Sequence, residues 1–271
     1  RFGLCCLFKD QPIKFRTATA KYLSKFSIQE QRRRLSSVCI SNAESLMKAL
    51  VYCRQNNIGC FRINSQILPL KTHPTVGYDI SELQKIKQVC VDHNLKYHLD
   101  GARLWNAMIA KKQQPKQFGE LFDTISVCFS KGLGCPIGSV LLSDAETIHR
   151  ALRIRKIFGG NMRQSGYLAA AGIYALQNNI NRLEEDHRRA KELGSALQQC
   201  SWVAIVEPVE TNIIVFSVQS HIKDQEVIEM LKQKGIAISL LAKGKLRIVT
   251  HLDYRQVMHE YVLEALEKLS F

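Results

Sequence analysis

Apolar residues recur near helical spacing through residues 28–56, at Leu35, Val38, Cys39, Leu46, Leu50 and Cys53, and predict one long helix. Gly59, in "NNIG", is the natural stop for it. A short apolar run at residues 2–6 precedes this helix, and "CFRIN" follows it, so both flanks read as strands. Strand, helix, strand is a β/α arrangement with the usual right-handed crossover. From Ile80 the pattern changes. "ISELQKIKQVCVDHN" predicts a helix, "KYHLD" a strand, and "TISVCFS" and "GSVLLS" two more strands around a glycine-rich turn. Helices are expected over 145–158, 164–176 and about 180–200, the last heavily charged. "WVAIVE", "TNIIVFSV", a helix over 223–234, "IAIS", "KLRIVT" and a final helix complete an α+β tail. The fold class is therefore α/β.

Composition narrows this little. A hydrophobic fraction of 46% with 23% charged residues is that of an ordinary globular chain. No apolar run reaches the roughly 18 residues of a membrane helix, so no membrane association is expected. "RFGLCCLFKD" lacks the apolar core and cleavage site of a signal peptide, and the start on Arg1 leaves room for a preceding segment. Nine cysteines occur with no C-x-x-C pair, which argues against a zinc site and favours reduced thiols in the cytoplasm. No metal ligands are assigned. The net charge of +14 is uneven: residues 1–79 carry 13 Lys and Arg against 4 Asp and Glu, the remainder 25 against 20. Such a balance suits weak DNA contact through residues 1–79, although solvated basic helices produce it more often.

Two polar residues sit where strands end, and a third lies within a strand. Asp100 closes "HLDGAR", Lys131 follows a strand in "SKGLG", and Arg247 lies in "KLRIVT". Ligands of open α/β sheets gather beyond the carboxyl ends of strands. A lysine and an acid there suit a pyridoxal cofactor, whose aldehyde takes an amine and whose ring nitrogen needs an acidic partner. The same residues also serve as a turn former and a solvated loop lysine, and spacing alone leaves both readings open.

"HLDGARLWNA", "SVCFSKGLGCPIGSVLL", "RKIFGGNMRQSGYLAAAGIYAL" and "LRIVTHLD" together resemble the low-specificity threonine aldolases of the fold-type-I pyridoxal phosphate enzymes, over residues 80–271. The resemblance implies a partial fold-type-I domain with a small α+β domain, and pyridoxal 5'-phosphate as cofactor. It implies that Lys131 attaches the cofactor, that Asp100 partners its ring nitrogen, and that Arg103 stands beside its phenolic oxygen. Arg247 then grips the substrate carboxylate. Lys156 and Arg163 lie near the phosphate, partly across a subunit interface, so a homo-oligomer acting on a small amino acid is expected. The implied reaction is retro-aldol cleavage of threonine or allo-threonine to glycine and acetaldehyde.

The family's ring-stacking histidine, its Gly/Thr phosphate turn and its "ENTH"-type segment precede "HLDGAR", and no counterpart occurs in residues 1–79. The resemblance therefore implies impaired activity. His98 and His251 lie in strand motifs and read as structural. Instead "RFGLCCLFKDQPIKFRTATAKYLSKFS", "NAESLMKALVYC" and "FRINSQILPLKTHPTVGY" resemble the start of the UV-damage endonucleases, which are TIM-barrel DNA-repair enzymes. That resemblance implies two β/α units of a barrel over residues 1–79, with His73 as a remnant of a metal site. The chain reads as a join near residues 76–82. Both parts are expected to expose unpaired strand edges.

Overall fold

The structure, a computed structural model, describes residues 79–270 and, before them, two strands: β1 (Val38–Cys39) and β2 (Arg62–Gln66). The predicted strand at 2–6, most of the 28–56 helix and His73 lie outside the described residues. Within that helix, however, Val38–Cys39 is extended and pairs in parallel with β2, which corrects the prediction there. A β-branched residue beside a small thiol suits a pleated backbone, and strand pairing overrides the helical spacing.

The first sheet has the order β1-β2-β3-β4-β5. Strands β3 (Lys96–Gly101) and β4 (Thr124–Cys128) run parallel to each other and to β2, and β5 (Ser139–Ser143) is antiparallel to β4. The β3 flank expected to lie bare is thus met by β2, with Asn64 opposite His98 and Gln66 opposite Asp100. The backbone donors and acceptors on that edge of β3 are met by the pairing.

Helix α1 (Ile80–Asp92) lays Leu83, Ile86 and Cys90 on the sheet, against Tyr97, Leu99, Ile125 and Val127. Alternation along β3 buries Tyr97, Leu99 and Gly101 and turns Lys96, His98 and Asp100 to the other face. Two helices not foreseen, α2 (Leu104–Lys111) and α3 (Pro115–Leu121), bridge β3 and β4. Pro115 at the first position and a reciprocal Gln114–Gln117 cap start α3. After β5 come α4 (Ala145–Ile157), α5 (Gly166–Asn178) and α6 (Leu183–Gln199). Asp144 caps α4 by accepting from the Thr147 amide at 2.8 Å.

The second sheet, order β6-β7-β9-β8, is antiparallel throughout. It comprises β6 (Val203–Val206), β7 (Ile213–Val218), β8 (Ser239–Ala242) and β9 (Lys245–Val249), with α7 (Asp224–Gln233) and α8 (Gln256–Glu267). The "IAIS" strand begins three residues later than predicted: Ile236 is buried in the core ahead of the strand, just after Gly235 turns left-handed at φ 74°. The buried face of α6 packs on this sheet through Ala190, Leu193 and Leu197.

Candidate active site

Parallel pairing brings the carboxyl ends of β3 and β4 side by side, with Asp100 opposite Ser126 and Gly101 opposite Val127. Asp100 is the last but one residue of β3, and its carboxylate accepts from the Ala102 amide at 3.2 Å. Arg103 then takes the position just before α2, and Lys131 stands three residues beyond the end of β4. A cleft of about 420 Å³ opens here, lined by Arg103, Ser130, Lys131, Gly132, Gly134 and Cys135 from the first part of the fold. Asn212, Val249, His251, Leu252 and Asp253 line it from the second.

The turn carrying Lys131 is tightly specified. The Gly134 amide donates to the Lys131 carbonyl at 2.9 Å, and the Cys135 amide to the Phe129 carbonyl at 3.1 Å. Trp105 Nε1 donates to the Cys128 carbonyl at 3.2 Å, and Asn179 Nδ2 to the Leu133 carbonyl at 2.8 Å. Gly134 has φ 72°, a conformation that suits glycine. A Cβ on Gly132 would stand 2.9 Å from Leu183 Cδ2 and 3.0 Å from Asn106 Oδ1, so a side chain there would force those two neighbours to shift.

Arg247 reaches the same region from the other sheet. Alternation along β9 buries Leu246 and Ile248 and puts Lys245, Arg247 and Val249 on the opposite face. Burial, and then the charge of Arg247, holds the Arg103 guanidinium below the ordinary arginine range. Arg247 Nε donates to Ser239 Oγ at 3.2 Å. Among the described residues neither arginine is ion-paired with a carboxylate, so Arg103 and Lys131 in the cleft lining, with Arg247 nearby, offer cations to an anion beside the single carboxylate of Asp253.

The other expected residues are placed differently. Lys156 lies in the last turn of α4 and Arg163 before α5, both exposed and neither lining the cleft. His98 sits within the sheet, its Nδ1 2.7 Å from Thr124 Oγ1. His251, expected to be structural, lines the cleft instead, and its Nδ1 accepts from the Asp253 amide at 3.3 Å. Its position two residues past the end of β9 was the signal available, since strand ends gather ligands. Asn212 was also missed. It opens β7's apolar run and donates through Nδ2 to the Thr250 carbonyl at 2.8 Å. Among the described residues no group of three or more His, Cys, Asp or Glu gathers as a metal site, and no helix is long and apolar enough to cross a membrane.

Residues 70–221 match the family model described as Beta-eliminating lyase, and residues 1–103 match UV-endonuclease UvdE, so the two overlap over 70–103. The chain is 36% identical over 186 residues to low-specificity L-threonine aldolase 1 of Arabidopsis thaliana, covering 66% of this chain and 52% of that protein. It is 42% identical over 162 residues to the low specificity L-threonine aldolase of Escherichia coli strain K12, covering 60% and 47%. The chain spans about half the length of the curated relatives it matches. Its fold is similar to that of Leishmania major threonine aldolase, with a TM-score of 0.68 at 18% identity over 84% of this chain and 66% of that one. It is also similar to ornithine delta-aminotransferase of Plasmodium falciparum, with a TM-score of 0.58 at 14% identity over 86% and 63%. These structural neighbours have the fold-type-I architecture.

Proposed function

The chain belongs to the beta-eliminating lyase family, whose cofactor is pyridoxal 5'-phosphate, and from that premise we propose that it is a threonine-aldolase-type lyase. The proposed reaction is cleavage of L-threonine or L-allo-threonine to glycine and acetaldehyde. One observation carries this reading: Lys131 and Arg103 line a single cleft at the ends of neighbouring strands, with Arg247 apposed to Arg103.

The residues present fit the cofactor. A cleft of about 420 Å³ falls in the roughly 300–1,000 Å³ range of small-ligand pockets. Its lining holds an amine on a rigid turn and the Arg103 guanidinium, while Arg247 and Asp100 stand outside the lining itself. When bound, the cofactor supplies a sink for the electron pair left as the α–β carbon bond breaks. Lys131 would hold the cofactor aldehyde, and Asp100 would keep the ring nitrogen protonated from the end of β3. Arg103 would stand by the phenolic oxygen. Arg247 would fork onto the substrate carboxylate and so orient the α–β bond.

Lys156 and Arg163 would serve the phosphate from a second copy, in a homo-oligomer. The apolar residues that α4 and α5 expose, among them Leu152, Ile157, Tyr167, Ile173 and Tyr174, support such an assembly. Light scattering on the purified chain tests it. With these two cations away from the cleft, cofactor affinity in a single chain is weak, each lost charged hydrogen bond costing about 1.5–3 kcal/mol. Low threonine turnover follows. Glycine and acetaldehyde release from threonine, assayed with excess cofactor, decides it: release that Lys131→Ala abolishes supports the activity, and no release at any protein concentration overturns it. Cytoplasmic placement is part of the same proposal, supported by the free thiols of Cys90, Cys128, Cys135 and Cys200.

A second reading draws on the match of residues 1–103 to UV-endonuclease UvdE. In it, residues 1–79 are a barrel fragment joined to the lyase part at 80–271, and the fragment's basic charge gives weak DNA contact. Binding should be independent of sequence, fall steeply with salt and proceed without strand cleavage. Nicking of irradiated DNA by the purified protein would overturn that account of the fragment.

A further inference from the structure

We propose that Asn106 and Asn179 are positioning residues that clamp the Lys131 turn from two sides. The proposal rests on reading Lys131 as the cofactor lysine. Asn106 stands on α2, three residues after Arg103, and is buried. Its Nδ2 lies 3.1 Å from Nε2 of His187, itself buried on α6. Burial pushes the His187 imidazole down to about 4, with Lys191 adding to the effect, so the ring is neutral and Nε2 can accept. That bond turns Asn106 Oδ1 toward Gly132, where a Cβ would stand 3.0 Å away.

Asn179 reaches the same turn from another element, at the carboxyl end of α5. Its Nδ2 donates to the Leu133 carbonyl at 2.8 Å. A carbonyl only accepts, so the amide has one orientation there. The side chains of α2 and α5 thus bear on the two residues that follow Lys131. An amine on a turn held at both flanks keeps its stem in one rotamer, and reaction geometry is sensitive to such placement.

The test needs no cofactor. Acetylation of Lys131 is measured by peptide mapping, relative to Lys116 on α3, which is 87% exposed. In Asn179→Asp the shape is kept and the donor lost; in Asn106→Leu the polar contact is lost. Each should change the Lys131 ratio by at least about three-fold, the size of one off-rotamer penalty. Asn178→Asp is the control, since Asn178 bonds within its own helix, to the Tyr174 carbonyl, and it should leave the ratio unchanged. A folded Asn179→Asp chain with the wild-type ratio overturns the clamp. In the wild type, amide exchange at Gly134 and Cys135 should be as slow as in α5, and fast exchange also overturns it, without recourse to any variant. With cofactor added, both variants should lower the turnover number at least about ten-fold and leave KM for threonine unchanged. Absence of any Lys131-linked cofactor band in the wild type would instead contradict the lyase reading and leave the acetylation result to judge the clamp.

Discussion

Arg247 on β9 lies near enough to Arg103 at the head of α2 that, after burial, its charge is what most lowers the affinity of Arg103 for its proton. Two like charges brought near each other, one from a helix start and one from a strand, store a repulsion that an anion relieves. A small amino acid or inorganic phosphate should therefore raise the melting temperature. At ten times its dissociation constant the gain is about 1.4 kcal/mol. Arg247→Leu should abolish the shift with glycine, and an undiminished shift would place the carboxylate elsewhere.

Arg247→Lys separates charge from geometry. The lysine keeps the cation but loses the planar fork. KM for threonine should rise about ten- to one-hundred-fold, the equivalent of roughly 1.5–3 kcal/mol. The Lys131-linked cofactor absorbance should remain. Steady-state kinetics beside a spectrum of the same sample checks both.

His187 sets an acid limit on stability. Its folded value of about 4 lies below the ordinary 6.5, so the unfolded chain takes up the proton first as pH falls. The contribution of the neutral ring is fully present above about pH 6.5, is lost between 6.5 and 4, and is flat below 4. It amounts to something on the order of 3 kcal/mol. Urea midpoints between pH 8 and 4 should show this fall in the wild type and a shallower one in His187→Gln.

Gly134 and Gly235 both hold left-handed backbone, at φ 72° and 74°. A Cβ at Gly134 would meet Leu252 Cδ2 at 2.7 Å, in the cleft wall, whereas one at Gly235 would meet nothing within 4 Å. Both alanine variants should lose about 1–2 kcal/mol from the backbone alone. Gly134→Ala should lose more, and it alone should weaken cofactor binding. Equal losses, with cofactor binding intact in both, would show that the turn does not shape the cleft.

Much of the fold was legible because the signals were local. The alternation in "KYHLD" and "KLRIVT" assigned β3 and β9, and it also fixes which face Asp100 and Arg247 take. Helices α2 and α3 were missed, since the eight and seven residues they span fill the interval after "HLDGAR" with little periodic pattern. The pairing of β2 with β3 was invisible, because registry between distant segments leaves no mark in either. Strand ends pointed to Asp100 and Lys131, of which Lys131 lines the cleft; Arg103 came from resemblance, and Asn212 and His251 enter the cleft through tertiary packing of the second sheet. Lys156 and Arg163 rested on resemblance alone, and both stand at the surface outside the cleft lining.

The most direct test of the central claim is to find where the cofactor attaches. The chain is mixed with pyridoxal 5'-phosphate, reduced with borohydride, digested and mapped by mass spectrometry. An absorbance band near about 420 nm before reduction is the accompanying sign. The account predicts the pyridoxyl group on Lys131, in the peptide containing "FSKGLGCP", and its loss in Lys131→Ala. Label spread over surface lysines in proportion to their exposure, with Lys131 unmodified, would contradict it.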